Sequence, residues 1–111
     1  MKKKCLITGG CGFIGSHLAE RLIQKKYKVI ILDNLSNGNL KNIKKIKNKV
    51  KFVKCDISKI GNWSKLFKDV SLVFHLAALA DIVPSIQRPN EYFDSNVKGT
   101  LNILQLSRKY N

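Results

Sequence analysis

Seven residues near the start of the chain, Gly9-Gly10-Cys11-Gly12-Phe13-Ile14-Gly15, have the types and spacing to hold a pyrophosphate. Glycine at 9 permits a tight turn, glycine at 12 lets a phosphate reach the backbone, and glycine at 15 lets a following helix pack close to the preceding strand. Free amides at the helix start would then face the phosphate charge. The run also reads as an ordinary glycine-rich turn, and a carboxylate further along bears on the choice. Asp33 lies 18 residues after Gly15, near the roughly 20-residue spacing at which an acid meets the adenine-side ribose of a dinucleotide. Its carboxylate can accept both ribose hydroxyls, and its charge would repel a 2′-phosphate. Asn34 supplies no cation to offset that repulsion, so the pattern points to NAD rather than NADP. Asp33 has a second reading, as a simple turn former. Asp56, in the corresponding place further on, reads either as an acceptor for the adenine amino group or as a cap before Ile57 and Ser58.

Other chemically capable residues read as structural. His75 closes a buried apolar run, which makes it a packed, hydrogen-bonded histidine rather than a base, and His17 is expected on a helix surface. Trp63, Tyr92 and Phe93 are spaced as core-covering aromatics, and Ser85 reads as a substrate contact or a local cap. Cys5, Cys11 and Cys55 are too few and too irregular for a zinc site, and their odd number does not suggest a disulfide framework. No metal site and no catalytic residue is assigned.

These residues must be positioned by strands and helices that alternate along the chain. Lys4 to Thr8 is a short apolar strand, and from Phe13 onward Ile14, Leu18, Leu22 and Ile23 recur at helical spacing. Lys28 to Asp33 is a second strand ending at the turn-forming string Asn34 to Asn39. A short helix over Leu40 to Lys47, a strand over Val50 to Lys54, a short helix over Trp63 to Phe67 and a strand buried on both faces over Ser71 to Leu76 follow. Pro84 and Pro89 punctuate a loop, after which Val97, Leu101 and Leu104 mark one face of a long final helix. Right-handed crossovers give an α/β fold of the Rossmann type, a doubly wound parallel sheet with its first four strands in the order 3-2-1-4.

The length of 111 residues suits one domain and leaves no room for a second, substrate-binding one. Hydrophobic residues make up 44% of the chain and charged residues 25%, a globular balance. No apolar stretch approaches the roughly 20 residues that span a bilayer, and the apolar run after the first lysines is too short for a signal peptide. The expected location is the cytoplasm. A net charge of +14, with seven lysines between Lys41 and Lys54, raises the possibility of nucleic-acid binding. Against it stand 18 lysines but three arginines, when arginine is the residue of bidentate phosphate and base recognition. A solvated basic face is the expectation, with nucleic acid as the minor alternative.

Thr8 to Ser16, TGGCGFIGS, resembles the extended short-chain dehydrogenases, and in particular the nucleotide-sugar epimerases and dehydratases. Asp33 to Gly38, Asp56-Ile57, His75 to Ala78 and Asn96 to Thr100 resemble that family's cofactor-side motifs in order and spacing, so the likeness covers nearly all of residues 1–111. The resemblance implies an amino-terminal NAD-binding portion of a UDP-glucose or UDP-N-acetylglucosamine 4-epimerase-like enzyme that moves hydride at sugar C4. It implies that Phe13 and Ile14 contact the cofactor phosphates beside Gly9, Gly12 and Gly15. Asp33, Asn34, Leu35, Ser36, Asn37 and Gly38 would meet the adenosine, with Asp56 and Ile57 at the adenine. Leu76, Ala77, Ala78, Leu79 and Ala80 would flank the nicotinamide, and Asn96 would face the cofactor from the last helix. Ala80 stands where some 4-epimerases carry a lysine. The family's tyrosine with a lysine four residues later is absent from these 111 residues, so the chain alone is expected to bind NAD, possess no turnover, and expose an unpaired sheet edge open to self-association.

Overall fold

The computed structural model describes residues 2–110. Four strands, β1 (Lys4–Thr8), β2 (Lys28–Asp33), β3 (Val50–Lys54) and β4 (Val70–His75), form one parallel sheet in the order β3-β2-β1-β4. The expected strand order is therefore the observed one. Cys5 of β1 lies between Val29 of β2 and Leu72 of β4, and Thr8 between Leu32 and His75. This register brings Thr8, Asp33 and His75 to the same, carboxyl end of the sheet.

Alternation along the two central strands builds two cores, since successive side chains point to opposite faces. Cys5, Ile7, Val29 and Ile31 pack with Ala19 and Leu22 of helix α1 (Phe13–Gln24) and with Ile43 and Ile46 of a 3-10 segment, Leu40–Lys49. Leu6, Ile30 and Leu32 pack on the other face with Trp63 and Phe67 of a second 3-10 segment, Asn62–Phe67, and with Ile103 and Leu106 of the last helix. Leu6, Ile7, Ile31, Leu32 and Phe67 are almost wholly buried, each contributing about 1.5–3 kcal/mol relative to exposure.

Four details differ from the sequence reading. The inward line of α1 is Gly15, Ser16, Ala19 and Leu22, while Ile14 is 69% exposed; the glycine and alanine let α1 lie close to β1, which turns Ile14 outward. Strand β4 is only half-buried, with Leu72 exposed, because β1 is its one partner among the described residues. The stretch around Pro84 is a short helix α2 (Ile82–Gln87) rather than a loop, Pro84 falling in its first turn where no amide is needed. From Pro89, in the first turn as expected, the chain runs through α3 (Pro89–Phe93), a π-turn over Asp94–Lys98 and α4 (Gly99–Tyr110). The face of α4 that meets the sheet is Gly99, Asn102, Ile103 and Leu106, and Val97, Leu101 and Leu104 point to solvent, as does Phe93. Two apolar stripes share this helix, and Gly99, which lets Ile57 approach closely, settles which one turns inward.

Candidate cofactor site

The site begins at the turn out of β1. Gly9 has φ +71°, and a Cβ there would stand 2.9 Å from the Ala77 amide nitrogen, so both the turn and its close neighbour demand glycine. Gly15 is equally constrained, since a Cβ would stand 2.8 Å from the Gly10 Cα. Gly12 differs. A Cβ there would meet nothing but the Gly9 carbonyl oxygen, 3.3 Å away, and its φ of −79° suits any residue. It precedes α1 without a side-chain cap, leaving the first amides of the helix without a side-chain acceptor.

Asp33, at the end of β2, is buried and anchored from two sides. Its Oδ2 accepts from the Cys11 amide at 3.0 Å and its Oδ1 from the Leu35 amide at 2.8 Å. The carboxylate thus joins the glycine loop to the segment after β2, and Leu35 is held at φ +63°, a conformation uncommon for a branched side chain. Asn34 Oδ1 accepts from the Ser36 amide at 2.9 Å, so a second turn of the same kind overlaps the first. Gly38 lies over the carboxylate, where a Cβ would stand 2.7 Å from Asp33 Oδ2. The Cys11 carbonyl accepts from the Asn39 amide at 3.0 Å and from Asn42 Nδ2 at 2.8 Å, completing the tie between loop and segment.

Between these lips runs a narrow cleft, open at its mouth, of about 110 Å³. Gly9, Gly12, Asp33, Asn34, Ser36, Asn37, Gly38, Ile57, Leu76, Ala77, Ala78 and Leu79 line it. Leu32, Cys55 and Ser95 line it too, and nothing in the sequence singled these out; strand register and the π-turn bring them there. Cys55 is chemically quiet, because burial first, then the charges of Asp56 and Asp33, raise its thiol to about 11.

Phe13, Ile14, Gly15, Leu35, Asp56, Ala80 and Asn96 stand outside the cleft lining. The side chains of Phe13 and Ile14 are exposed, so their amides are what they offer a ligand. Asp56 Oδ1 accepts from the Ser58 amide at 2.9 Å and the Ser58 hydroxyl at 2.7 Å, closing a turn rather than capping a helix. Burial works to raise the Asp56 carboxyl, but the Ser58 hydrogen bonds, with Lys59 and Lys98, hold it below its ordinary value. Asn96, expected to face the cofactor, is bonded to the backbone of the cleft wall. Its Oδ1 accepts from the Leu79 amide and its Nδ2 donates to the Leu79 carbonyl, both at 2.8 Å, so its side chain clamps the wall of the cleft from behind. His75 is half-buried between the hydroxyls of Thr8 and Thr100, and burial lowers its pKa. His17 lies exposed on α1 with Nδ1 2.7 Å from the Phe13 carbonyl, and Ser85, inside α2, donates its hydroxyl to the Ile82 carbonyl one turn back. The seven lysines from Lys41 to Lys54 are all exposed.

A parallel sheet with a glycine turn, a helix start and a strand-end carboxylate around one cleft defines a dinucleotide-binding unit. The family model for NAD dependent epimerases/dehydratases matches residues 5–111, and the chain belongs to that family. A Methanocaldococcus jannaschii protein, provisionally assigned as a UDP-glucose 4-epimerase, is 48% identical over 95% of this chain and 34% of its own length. The UDP-N-acetylglucosamine 4-epimerase of Methanobrevibacter ruminantium superposes with a TM-score of 0.89 at 37% identity, over 100% of this chain and 36% of that one. The Thermus thermophilus UDP-glucose 4-epimerase, in complex with NAD, gives 0.85 at 36% identity, over 96% and 34%. The chain thus spans about a third of the length of these relatives.

Proposed function

We propose that this chain binds NAD across the carboxyl end of its sheet and forms the cofactor-binding part of a nucleotide-sugar 4-epimerase or dehydratase. The observation that carries this reading is Gly12. The protein's own packing opposes a side chain there through one group alone, the Gly9 carbonyl oxygen, a tight 3.3 Å from a Cβ, and Gly12 lines the cleft at the uncapped start of α1. A glycine at that place admits a pyrophosphate to the backbone. The amides of Phe13 and Ile14 would bind it, Asp33 would accept from the ribose hydroxyls, and Asn34 to Gly38 would surround the adenosine. Ile57, with the Asp56 turn behind it, would border the adenine, and Leu76 to Ala80 would shield the nicotinamide from water. NAD, when bound, supplies the acceptor and donor of hydride. The relatives named as UDP-sugar 4-epimerases support a nucleotide sugar as the substrate. Three free thiols, two of them buried, suit a cytoplasmic setting.

No tyrosine in these 111 residues is followed four positions later by lysine, so the proton of the sugar hydroxyl has no acceptor of the family's kind here. General acid and base groups contribute about 10² to 10⁴ in rate, and turnover is expected to need residues beyond this stretch. The test is an assay with UDP-glucose, UDP-N-acetylglucosamine and dTDP-glucose in the presence of NAD. The chain alone should be silent, and the chain joined to the remaining part of a relative should turn over one of them. Turnover by the 111 residues alone would refute the assignment of the proton step.

A further inference from the structure

Four polar groups form a line across the carboxyl end of the sheet. The Ala77 amide donates to Thr8 Oγ1 at 3.1 Å, Thr8 Oγ1 lies 2.6 Å from His75 Nδ1, and His75 Nε2 lies 2.7 Å from Thr100 Oγ1. The line joins β1, β4 and α4. Thr8 is wholly buried and directly precedes Gly9, whose turn packs against the Ala77 backbone. A shift of Ala77 is therefore felt at the glycine turn and at the cleft wall together.

Counting protons assigns the tautomer. A hydroxyl has one hydrogen to donate and two lone pairs with which to accept. The Thr8 hydrogen, shut away from water, needs an acceptor inside the protein, and His75 Nδ1 is the acceptor at hand. Nδ1 is then unprotonated, and the ring hydrogen sits on Nε2 and donates to Thr100 Oγ1. A doubly protonated ring would present a hydrogen at Nδ1 as well. Thr8 Oγ1 would then have to accept from both the ring and Ala77, and its own hydrogen would be stranded.

We propose that neutral His75 is a positioning residue for the cofactor cleft: by accepting the Thr8 hydrogen it sets Thr8 Oγ1 to hold the Ala77 amide, and its protonation releases the Leu76–Ala80 wall. The proposal rests on the NAD reading for its ligand and on the hydrogen-bond line for its mechanism. The groups facing the ring are the Thr8 hydroxyl from β1 and the Thr100 hydroxyl from α4, and burial is the one cause acting on its titration. Burial lowers the folded pKa below the ordinary histidine value of 6.5. On acidification the unfolded chain therefore takes up this proton first. Stability declines as pH falls below 6.5 and levels off once the folded ring has titrated too, while the wall is released through that lower, folded value. His17, exposed near the start of α1, takes no part in this line of hydrogen bonds.

The test follows the ligand-free chain by nuclear magnetic resonance from about pH 8 to about pH 5, a range in which histidine is the side chain that ordinarily titrates. His75 should carry its proton on Nε2 at the upper end, and the Ala77 amide should shift with the His75 midpoint and exchange faster below it. In His75→Gln the Ala77 response should vanish. NAD titrations should show affinity falling roughly tenfold over the same range, the size expected for one lost buried hydrogen bond. That fall should persist in His17→Gln and disappear in His75→Gln. An Ala77 amide indifferent to pH, or one that titrates in His75→Gln as in the parent, overturns the proposal. Should His75→Gln fail to fold, the midpoints of Ala77 and His75 in the unaltered chain decide it, and disagreement between them overturns it. Absence of NAD binding even at about pH 8 would count against the NAD reading and leave the Ala77 response as the measure of His75's role.

Discussion

At the scale of single residues, two glycines of one loop should fail in different ways. A methyl group at Gly15 has no space, meeting the backbone of Gly9 and Gly10, and Gly15→Ala should cost about 1–3 kcal/mol of stability by overpacking. A methyl group at Gly12 meets nothing but one carbonyl oxygen at 3.3 Å. Gly12→Ala should therefore melt within a few degrees of the parent while losing at least tenfold in NAD affinity, an effect of about 1.4 kcal/mol. Thermal melting beside a calorimetric titration separates the two, and equal loss of stability in both variants would remove Gly12 from its role. The places of Gly12 and of Asp33 at the cleft are legible in the sequence because they depend on local spacing after a strand. The anchoring of Asp33 by the Cys11 and Leu35 amides is not legible, since it depends on where the glycine loop comes to rest across the sheet. Asn96 shows the same limit: its place on the last helical run was readable, but its partner, the Leu79 backbone, is 17 residues away and set by packing.

At the scale of elements, strand order followed from apolar runs alternating with helical patterns, and the two central strands behave as that alternation requires. The edge strand did not, because a run such as VSLVFH reads as doubly covered whether or not a neighbour is present. Among the described residues β4 pairs with β1 alone, and Leu72 is exposed on it. Open edges of apolar strands invite further pairing, so the chain should self-associate as its concentration rises. Replacing Leu72 with lysine should suppress the association, as charged edge residues do. Sedimentation over a wide concentration range checks this, and a monomer throughout would contradict it. The π-turn at Asp94–Lys98 was invisible to periodicity, which registers one long helix, yet it is this wider turn that places Asn96 behind Leu79 and Ser95 at the cleft.

At the scale of the whole molecule, charge and site pull in opposite directions. The net charge is +14, and among the described residues Arg88–Glu91 is the one ion pair, so the long-range field favours whichever cofactor carries more negative charge. NADP carries the additional 2′-phosphate. A preference for NAD must therefore come from the cleft, where Asp33 is held by two backbone amides and Asn34 offers no cation. Screening confines surface charge to about 8 Å at physiological ionic strength, which suits that condition to reading the local contribution. The measurement is a calorimetric titration of the chain with NAD and with NADP at that ionic strength, repeated with Asp33→Ala. The cleft described here predicts NAD bound at least about tenfold more tightly than NADP, a difference of about 1.4 kcal/mol, with the gap narrowed in the variant. Equal affinities in the unaltered chain, or tighter binding of NADP, would contradict it.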